Sequence, residues 1–293
     1  MRKRRFGDRR DGRLLRTLPP MNKLSPFIMK NRIGSQNLIR MEVDMAEIER
    51  YIHQKRKEGL DNFGVLHMLL SGYVRTVSQR PGINRFIAGQ KIFARNTIDV
   101  IMTIKMEMAL NAEETEVKVT FSPNDTAADV YRKFQEAIER ERPTGEKKQE
   151  SDFEKTARVL NYIPSLILRF VVSVLTFLDY FGWLPKFLTD LSPFHGSLVI
   201  TSMGSLGIPP VFHHLYDFGN APIFISYGSK THVNELQPDG SVIKRKKLPF
   251  TIVTDERICD GHYYASAIKY LLQTLKQPDC LDFPPETVVS DID

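Results

Sequence analysis

The chain has 293 residues, 42% of them hydrophobic, enough for one large domain or two small ones with well-buried cores. Its net charge of +6 is modest for that length and is concentrated in the run MRKRRFGDRRDGRLLR, which has no basic-aromatic interleaving, so a nucleic-acid partner is not expected. Two cysteines, Cys259 and Cys280, exclude a disulfide framework and a cysteine metal site, and no leader-like apolar segment opens the chain, so a cytoplasmic protein without a metal is expected.

The basic run over residues 1–18 reads as an arm that is solvated, lies on a neighbouring subunit, or touches an anionic membrane surface. Pro19 and Pro20 then punctuate the start of a short helix from Met21 to about Arg32. Helical spacing of Ile48, Tyr51 and Ile52, and of Leu66, Leu69, Leu70 and Tyr73, predicts amphipathic helices over residues 44–54 and 65–79. Apolar or alternating runs at 91–93, 98–104 and 116–121 predict strands, with turns at Asn96 and 111–114. Asp125 and Thr126 form a capping pair for a helix that runs to about Arg140. Residues 142–152 are polar, contain Pro143 and Gly145, and read as a flexible loop.

The apolar stretch from Ile163 to Pro185 raises the question of a membrane. Ser165, Arg169, Ser173, Thr176 and Asp179 recur at helical spacing, which makes one narrow polar seam on an otherwise apolar helix. Such a helix would be roughly 27 Å long, at the lower limit for a bilayer span, and each of its two charges would cost roughly 2.5–3.5 kcal/mol at the bilayer centre. Burial in the protein or at a subunit interface is therefore expected, with a position on a membrane surface as the alternative. Residues 196–228 and 248–254 read as strands with Gly and Pro turns, and 261–276 as a closing helix. Strands interleaved with helices without regular βαβ spacing point to an α+β fold with a mixed sheet flanked by helices.

The segment LPFTIVTDERICDG (248–261) resembles the signature of dihydrolipoamide acyltransferase catalytic domains, an apolar strand leading into D-H-R-x-x-D-G. PMNKLSPFIMKNR (20–32), MEVDM (41–45), RPGIN (80–84), VITSMGSLG (199–207) and NAPIFISYG (220–228) are similar, in order, to further segments of that family, and the tail from Ala265 to Leu281 is similar to its last helix. The resemblance implies the chloramphenicol acetyltransferase-like fold in a single domain over residues 19–293, with an apolar helical insertion at about 153–193. It also implies a homotrimer with active sites between subunits and a channel that admits coenzyme A as co-substrate. In that family a histidine removes the proton from the acyl acceptor, and a Ser or Thr of the neighbouring subunit donates to the oxyanion.

Carried over residue by residue, Glu256 stands where the family has its catalytic histidine, and Thr201 stands at the oxyanion hydroxyl. Asp260 would be a structural anchor bonded to Arg32 or Arg257, and Gly261 would allow a close backbone approach. Cys259 reads as a small buried hydrophobe. His262, His213 and His214 read as surface or packing residues. Burial could raise a glutamate enough to serve as base, but a carboxylate can only accept while ionised, whereas neutral imidazole offers a donor and an acceptor together. Residues 101–119 lack the G-L-V-x-P segment of the family's channel, and there is no D-K-A-type lipoylation site, so no lipoyl attachment is expected in this chain.

Two readings of function follow. One is a stand-alone coenzyme A-dependent acyltransferase with an altered site, in which Glu256 is the base or orients a cationic or amine acceptor. The other is a catalytically inactive trimeric scaffold, or a regulatory protein that binds coenzyme A or a thioester. An acyl carrier or dehydrogenase-type partner, and weak contact with a membrane surface, are compatible with either.

Overall fold

A computed structural model describes residues 4–105, 114–141 and 162–293. The expected polar loop at 142–152, the start of the insertion and most of the 111–114 turn lie outside these residues. In chain order the elements are β1 (Gly12–Leu14), α1 (Pro20–Ile28), β2 (Gln36–Asp44), α2 (Ala46–Lys57), α3 (Val65–Gln79), β3 (Arg85–Ala88), β4 (Lys91–Arg95), β5 (Ile98–Lys105), β6 (Glu114–Phe121) and α4 (Ala127–Glu141). They continue as α5 (Ser165–Phe181), α6 (Lys186–Leu191), β7 (Leu198–Ser202), β8 (Ile223–Tyr227), β9 (Thr231–Leu236), β10 (Val242–Asp255) and α7 (Gly261–Lys276).

The main sheet has the order β2-β10-β8-β7-β5-β6, and β9 adds to β10 as a hairpin. β7 runs parallel to β5 and β8, while the other pairs are antiparallel, so the sheet is mixed as expected. Alternation along the strands sends Leu198, Ile200, Ile225 and Ile252 to one face, where they pack with Leu70 of α3 and Leu271 and Leu275 of α7. The opposite face carries a smaller cluster of Ile101, Val199, Leu215, Phe224 and Val253. This division of the sheet locates the cavity described below, which lies on the face with less helical cover.

Local chemistry explains the helix starts. At α4, Thr126 Oγ1 accepts from the Asp129 N–H at 3.2 Å and Asp129 accepts from the Thr126 N–H at 3.1 Å, a reciprocal capping box. The first helix ends at Ile28, earlier than expected, because Met29 turns to extended backbone before Asn31 and Arg32 are used elsewhere. The first strand of the main sheet is longer than MEVDM and begins at Gln36.

From residue 8 onward much of the basic arm packs on its own chain, whereas residues 4–7 are exposed. Residues 12–14 form β1 on β4, and Leu15 and Leu18 are buried in the core. Its cations are matched by acids: Arg9 pairs with Asp11 at 2.9 Å and Asp179 at 2.7 Å, Arg16 with Asp8 at 2.9 Å, and Arg5 and Arg13 with Asp293 at 2.8 and 3.2 Å. The sequence showed the excess of positive charge but not its partners, two of which lie more than 150 positions away.

The apolar helix α5 is not covered over its length by the described residues of its own chain. Leu166, Ile167, Phe170, Phe177 and Phe181 are exposed, Leu168, Val171 and Leu175 are half-buried, and its one buried side chain, Asp179, lies near the C-terminal end. There Asp179 is buried between Arg9 and His195, and Tyr180 donates to Gln90 at 3.0 Å. Gly89 and Gln90 both have positive φ (53° and 56°), the signature of a tight β3–β4 hairpin. A Cβ at Gly89 would stand 2.5 Å from the Tyr180 carbonyl, so the hairpin seats the helix end only because position 89 has no side chain. The expected polar seam divides accordingly: Asp179 faces the body, whereas Ser173 and Thr176 bond back to carbonyls of their own helix. Among the described residues, no helix is long and apolar enough to cross a membrane.

Candidate active site

Thr201 lies near the end of β7 and lines a cavity of about 590 Å³ on the sparsely covered face of the sheet. Ser202, Thr103, Glu116, His213, Tyr216 and Tyr227 are among its polar lining residues, and Val199, Phe224 and Leu206 are among its apolar ones. Thr201 is half-buried, and Thr103 Oγ1 donates to Glu116 across β5 and β6 at 3.0 Å. Burial raises the Tyr227 phenol, partly offset by its hydrogen bond with Ser202, so it remains a neutral donor at physiological pH.

Glu256 is elsewhere. Strand register aligns Thr201, Ser226 and Thr251 across β7, β8 and β10. Five positions further along, Glu256 is therefore roughly 16 Å from that line at the rise of an extended strand. It is exposed, it does not line the cavity, and its N–H donates to the Ser35 carbonyl at 2.8 Å. Within one chain the two residues expected to share a site do not meet.

The anchor of the signature is Asp255, not Asp260. Asp255 is 1% exposed and receives both Arg257 Nε at 2.8 Å and Arg257 Nη2 at 2.7 Å, with Arg32 Nε at 3.7 Å and Ser35 Oγ at 3.1 Å. This paired fork is the geometry that makes a buried carboxylate tolerable. Asp260 is exposed and caps α7 by accepting from the Tyr263 N–H at 2.8 Å, which is the ordinary use of Asp one position before a helix. A Cβ added at Gly261 would meet nothing within 4 Å, so the close approach expected there is not made within the chain. Cys259 is buried, and burial pushes its thiol up to about 12, which makes it inert as a nucleophile at neutral pH.

Arg32 does more than was expected of it. Its two terminal nitrogens donate to the carbonyls of Tyr216 and Gly219 at 2.5 and 2.7 Å, so the charge cluster clamps the segment that lines the cavity. That segment carries His213, which had read as a packing residue. The only sequence signal for it was a pair of histidines among aromatics, which does not distinguish stacking from chemistry. His262, by contrast, is exposed on the first turn of α7, as expected.

A second, polar cavity of about 400 Å³ is lined by Arg95, Asp99, Lys118, Thr189 and His195. Burial lowers Lys118 to about 8, and its ammonium donates to the Thr189 carbonyl at 2.9 Å. Among the described residues, no group of three or more His, Cys, Asp or Glu could hold a metal ion.

No family model matches the chain, and no curated protein matches it. Solved structures do. A probable dihydrolipoamide acetyltransferase of Listeria monocytogenes superposes with a TM-score of 0.54 at 15% identity, covering 89% of this chain and 95% of that one. A truncated catalytic core of the 2-oxoacid dehydrogenase multienzyme complex of Thermoplasma acidophilum gives 0.53 at 10% identity, with 90% and 99% covered. A chloramphenicol acetyltransferase gives 0.52 at 14% identity, also with 90% and 99% covered. Likeness at these identities speaks to architecture: the chain has the mixed-sheet α+β fold of chloramphenicol acetyltransferase-like acyltransferases.

Proposed function

We propose that the chain transfers an acyl group between coenzyme A and a thiol, hydroxyl or amine acceptor at a site altered from that of the dihydrolipoamide acyltransferases. The observation that carries this reading is Thr201. Thr201, at the expected oxyanion position, lines a cavity large enough for the reacting ends of two substrates. Coenzyme A is the co-substrate; the reading assigns no lipoyl group and no metal to this chain. The acyltransferase names of the structural neighbours and the multimeric cores among them support self-assembly, for which a homotrimer is the proposed form.

In such a trimer Glu256 would enter the cavity of a neighbouring subunit. An exposed carboxylate suits the orientation of a cationic or amine acceptor, and Arg257 and Asp260 hold the loop from which it projects. The test is acyl-CoA turnover in Glu256→Gln. A rise in KM for an amine acceptor supports an orienting role, a collapse of kcat supports Glu256 as the base, and unchanged kinetics remove it from the site.

The carboxylate of Glu256 at the position of the family's histidine supports a second reading, a trimeric scaffold or regulatory protein that binds coenzyme A or a thioester without turnover. Calorimetric binding of coenzyme A with no product from any acyl-CoA would establish it. The exposed apolar residues of α5, with Trp183 and Phe187, support weak contact of a cytoplasmic protein with a membrane surface. Failure to co-sediment with anionic vesicles at low salt would end that part of the reading. An acyl carrier or a dehydrogenase-type protein is the proposed acyl-supplying partner.

A further inference from the structure

The segment between β7 and β8 is irregular, yet it is held at several points around His213. Upstream, the Val211 N–H donates to Ser226 Oγ at 3.2 Å and the Val211 carbonyl accepts from Thr251 Oγ1 at 2.5 Å. Downstream, Leu215 is buried against the sheet, and Arg32 holds the Tyr216 and Gly219 carbonyls. A side chain projecting between such fixed points has a defined position, which is what a group acting on a substrate needs.

The imidazole of His213 lies flat on Phe224, with ring centroids 4.0 Å apart and planes 12° apart. Phe224 pairs with Val199 and Ser226 with Thr201, so Phe224, under His213, lies on the same face as Thr201, one strand over and two residues back, roughly 8 Å away along the backbone, and both residues line one cavity. His213 Nδ1 is 2.8 Å from the His214 carbonyl oxygen. A carbonyl can only accept, so Nδ1 carries the hydrogen, and in the neutral ring the lone pair is on Nε2. Nε2 has no hydrogen bond among the described residues.

Resting on the acyl-transfer reading above, we infer that His213, from the same chain as Thr201, is the proton acceptor of the reaction. The acceptor's X–H gives its proton to Nε2 as X bonds to the thioester carbonyl carbon. The carbonyl electron pair moves onto oxygen, which Thr201 Oγ1 stabilises by donating a hydrogen bond. The C–S bond then breaks with its electron pair leaving on sulfur, and Nε2–H returns the proton to the coenzyme A thiolate. The products are the acylated acceptor and free coenzyme A, and His213 ends as it began. The imidazole has thus changed its place in the fold, from the end of β10 to the segment before β8.

The charged and titratable groups around the ring are His214 beside it, Tyr216 on its own segment, Tyr227 on β8 and Glu116 on β6. Burial, with the neighbouring His214, lowers the imidazole from its ordinary value and outweighs the hydrogen bond to the His214 carbonyl. The base form therefore persists to lower pH than a free imidazole allows.

The test uses the full chain, acetyl-CoA as donor, and dihydrolipoamide and cadaverine as acceptors, with acetylated product measured by mass spectrometry. His213→Gln is expected to lower kcat by roughly 10²- to 10⁴-fold, with little change in KM for acetyl-CoA. The acid limb of kcat/KM should lie below about 6.5 in the parent, persist in Glu256→Gln and vanish from the residual activity of His213→Gln. Circular dichroism and assembly mass verify the fold, and His213→Asn serves as a second variant. Labelling gives a readout independent of turnover: bromoacetyl-CoA should alkylate His213, and coenzyme A should protect it. Turnover that survives both His213 variants with its acid limb intact would overturn the inference and leave the acyl-transfer reading standing. Protected labelling of His213 without turnover would support it and place the fault in the acceptors tried. Absence of both turnover and protected labelling would overturn the inference and the reading together.

Discussion

The segments 255–261 and 207–219 divide between them what the related signature combines in one place. The first keeps the recognisable pattern, and most of that pattern is structural: Asp255 and Arg257 form a closed ion pair, Asp260 caps α7, and Glu256 faces outward. The second has no recognisable pattern, yet it brings an imidazole into the cavity beside Thr201. Arg32 joins the two by bonding the carboxylate of one and the carbonyls of the other. A motif can therefore persist because it holds a framework together, while the group that acts on substrate is supplied by a neighbouring segment.

That contrast can be broken or sharpened by four measurements. The largest effect is expected from Asp255→Asn, which leaves two buried guanidinium groups without their carboxylate; chemical denaturation should show a loss of about 3–5 kcal/mol. A value below about 1 kcal/mol would mean that the cluster is not the framework. Next, Thr201→Val keeps the shape of the side chain and removes the hydroxyl, so kcat should fall roughly 10²- to 10³-fold while the unfolding midpoint stays put. An unchanged kcat would take the cavity out of the chemistry.

The third measurement follows Asp179. Burial raises its carboxyl, but His195, with Nε2 3.4 Å away, and then Arg9, with Nη2 2.7 Å away, outweigh it and hold the group at about 2. Because the folded value is depressed below the ordinary carboxylate range, the stabilisation is complete above about pH 4 and is lost as pH falls towards 2. It amounts to roughly 2 kcal/mol. Trp183, the chain's one tryptophan, follows α5 directly, so its fluorescence should report release of the helix end in that window, and Asp179→Asn should abolish the transition. The smallest effect belongs to Glu256→Gln, an exposed position where stability should change by no more than about 0.5 kcal/mol. A larger loss would show that Glu256 makes a structural contact.

Fold and framework were legible in the sequence because they rest on local pattern. The α3 span matches its apolar spacing, the α4 cap uses Thr126 of the Asp125–Thr126 pair together with Asp129, and the mixed sheet follows from strands without βαβ spacing. Thr201 could be singled out in the sequence because its strand and glycine turn are ordered along the chain, and it lines the cavity. What sequence misjudged depends on pairings between distant segments. Two aspartates flank Glu256 within five positions, and only the placement of Arg32 and Arg257 decides that Asp255 is the buried one. His213 acquires its role from Phe224, Ser226 and Thr251, none adjacent to it in sequence. The arm's charges were counted correctly, but beside its own Asp8 and Asp11 the acids that pair with them come from α5 and from residue 293.

Residues 289–293, seen above only as a source of acids, also act as a cross-tie. Residue 293 accepts backbone hydrogen bonds from Arg16 and Thr17, Asp291 pairs with Arg85, and the Val289 N–H bonds the Ser78 carbonyl. Each of these links spans more than 200 positions, so one short segment binds the stretch after β1, the end of α3 and the start of β3 to one another, and severing it would loosen three elements at once.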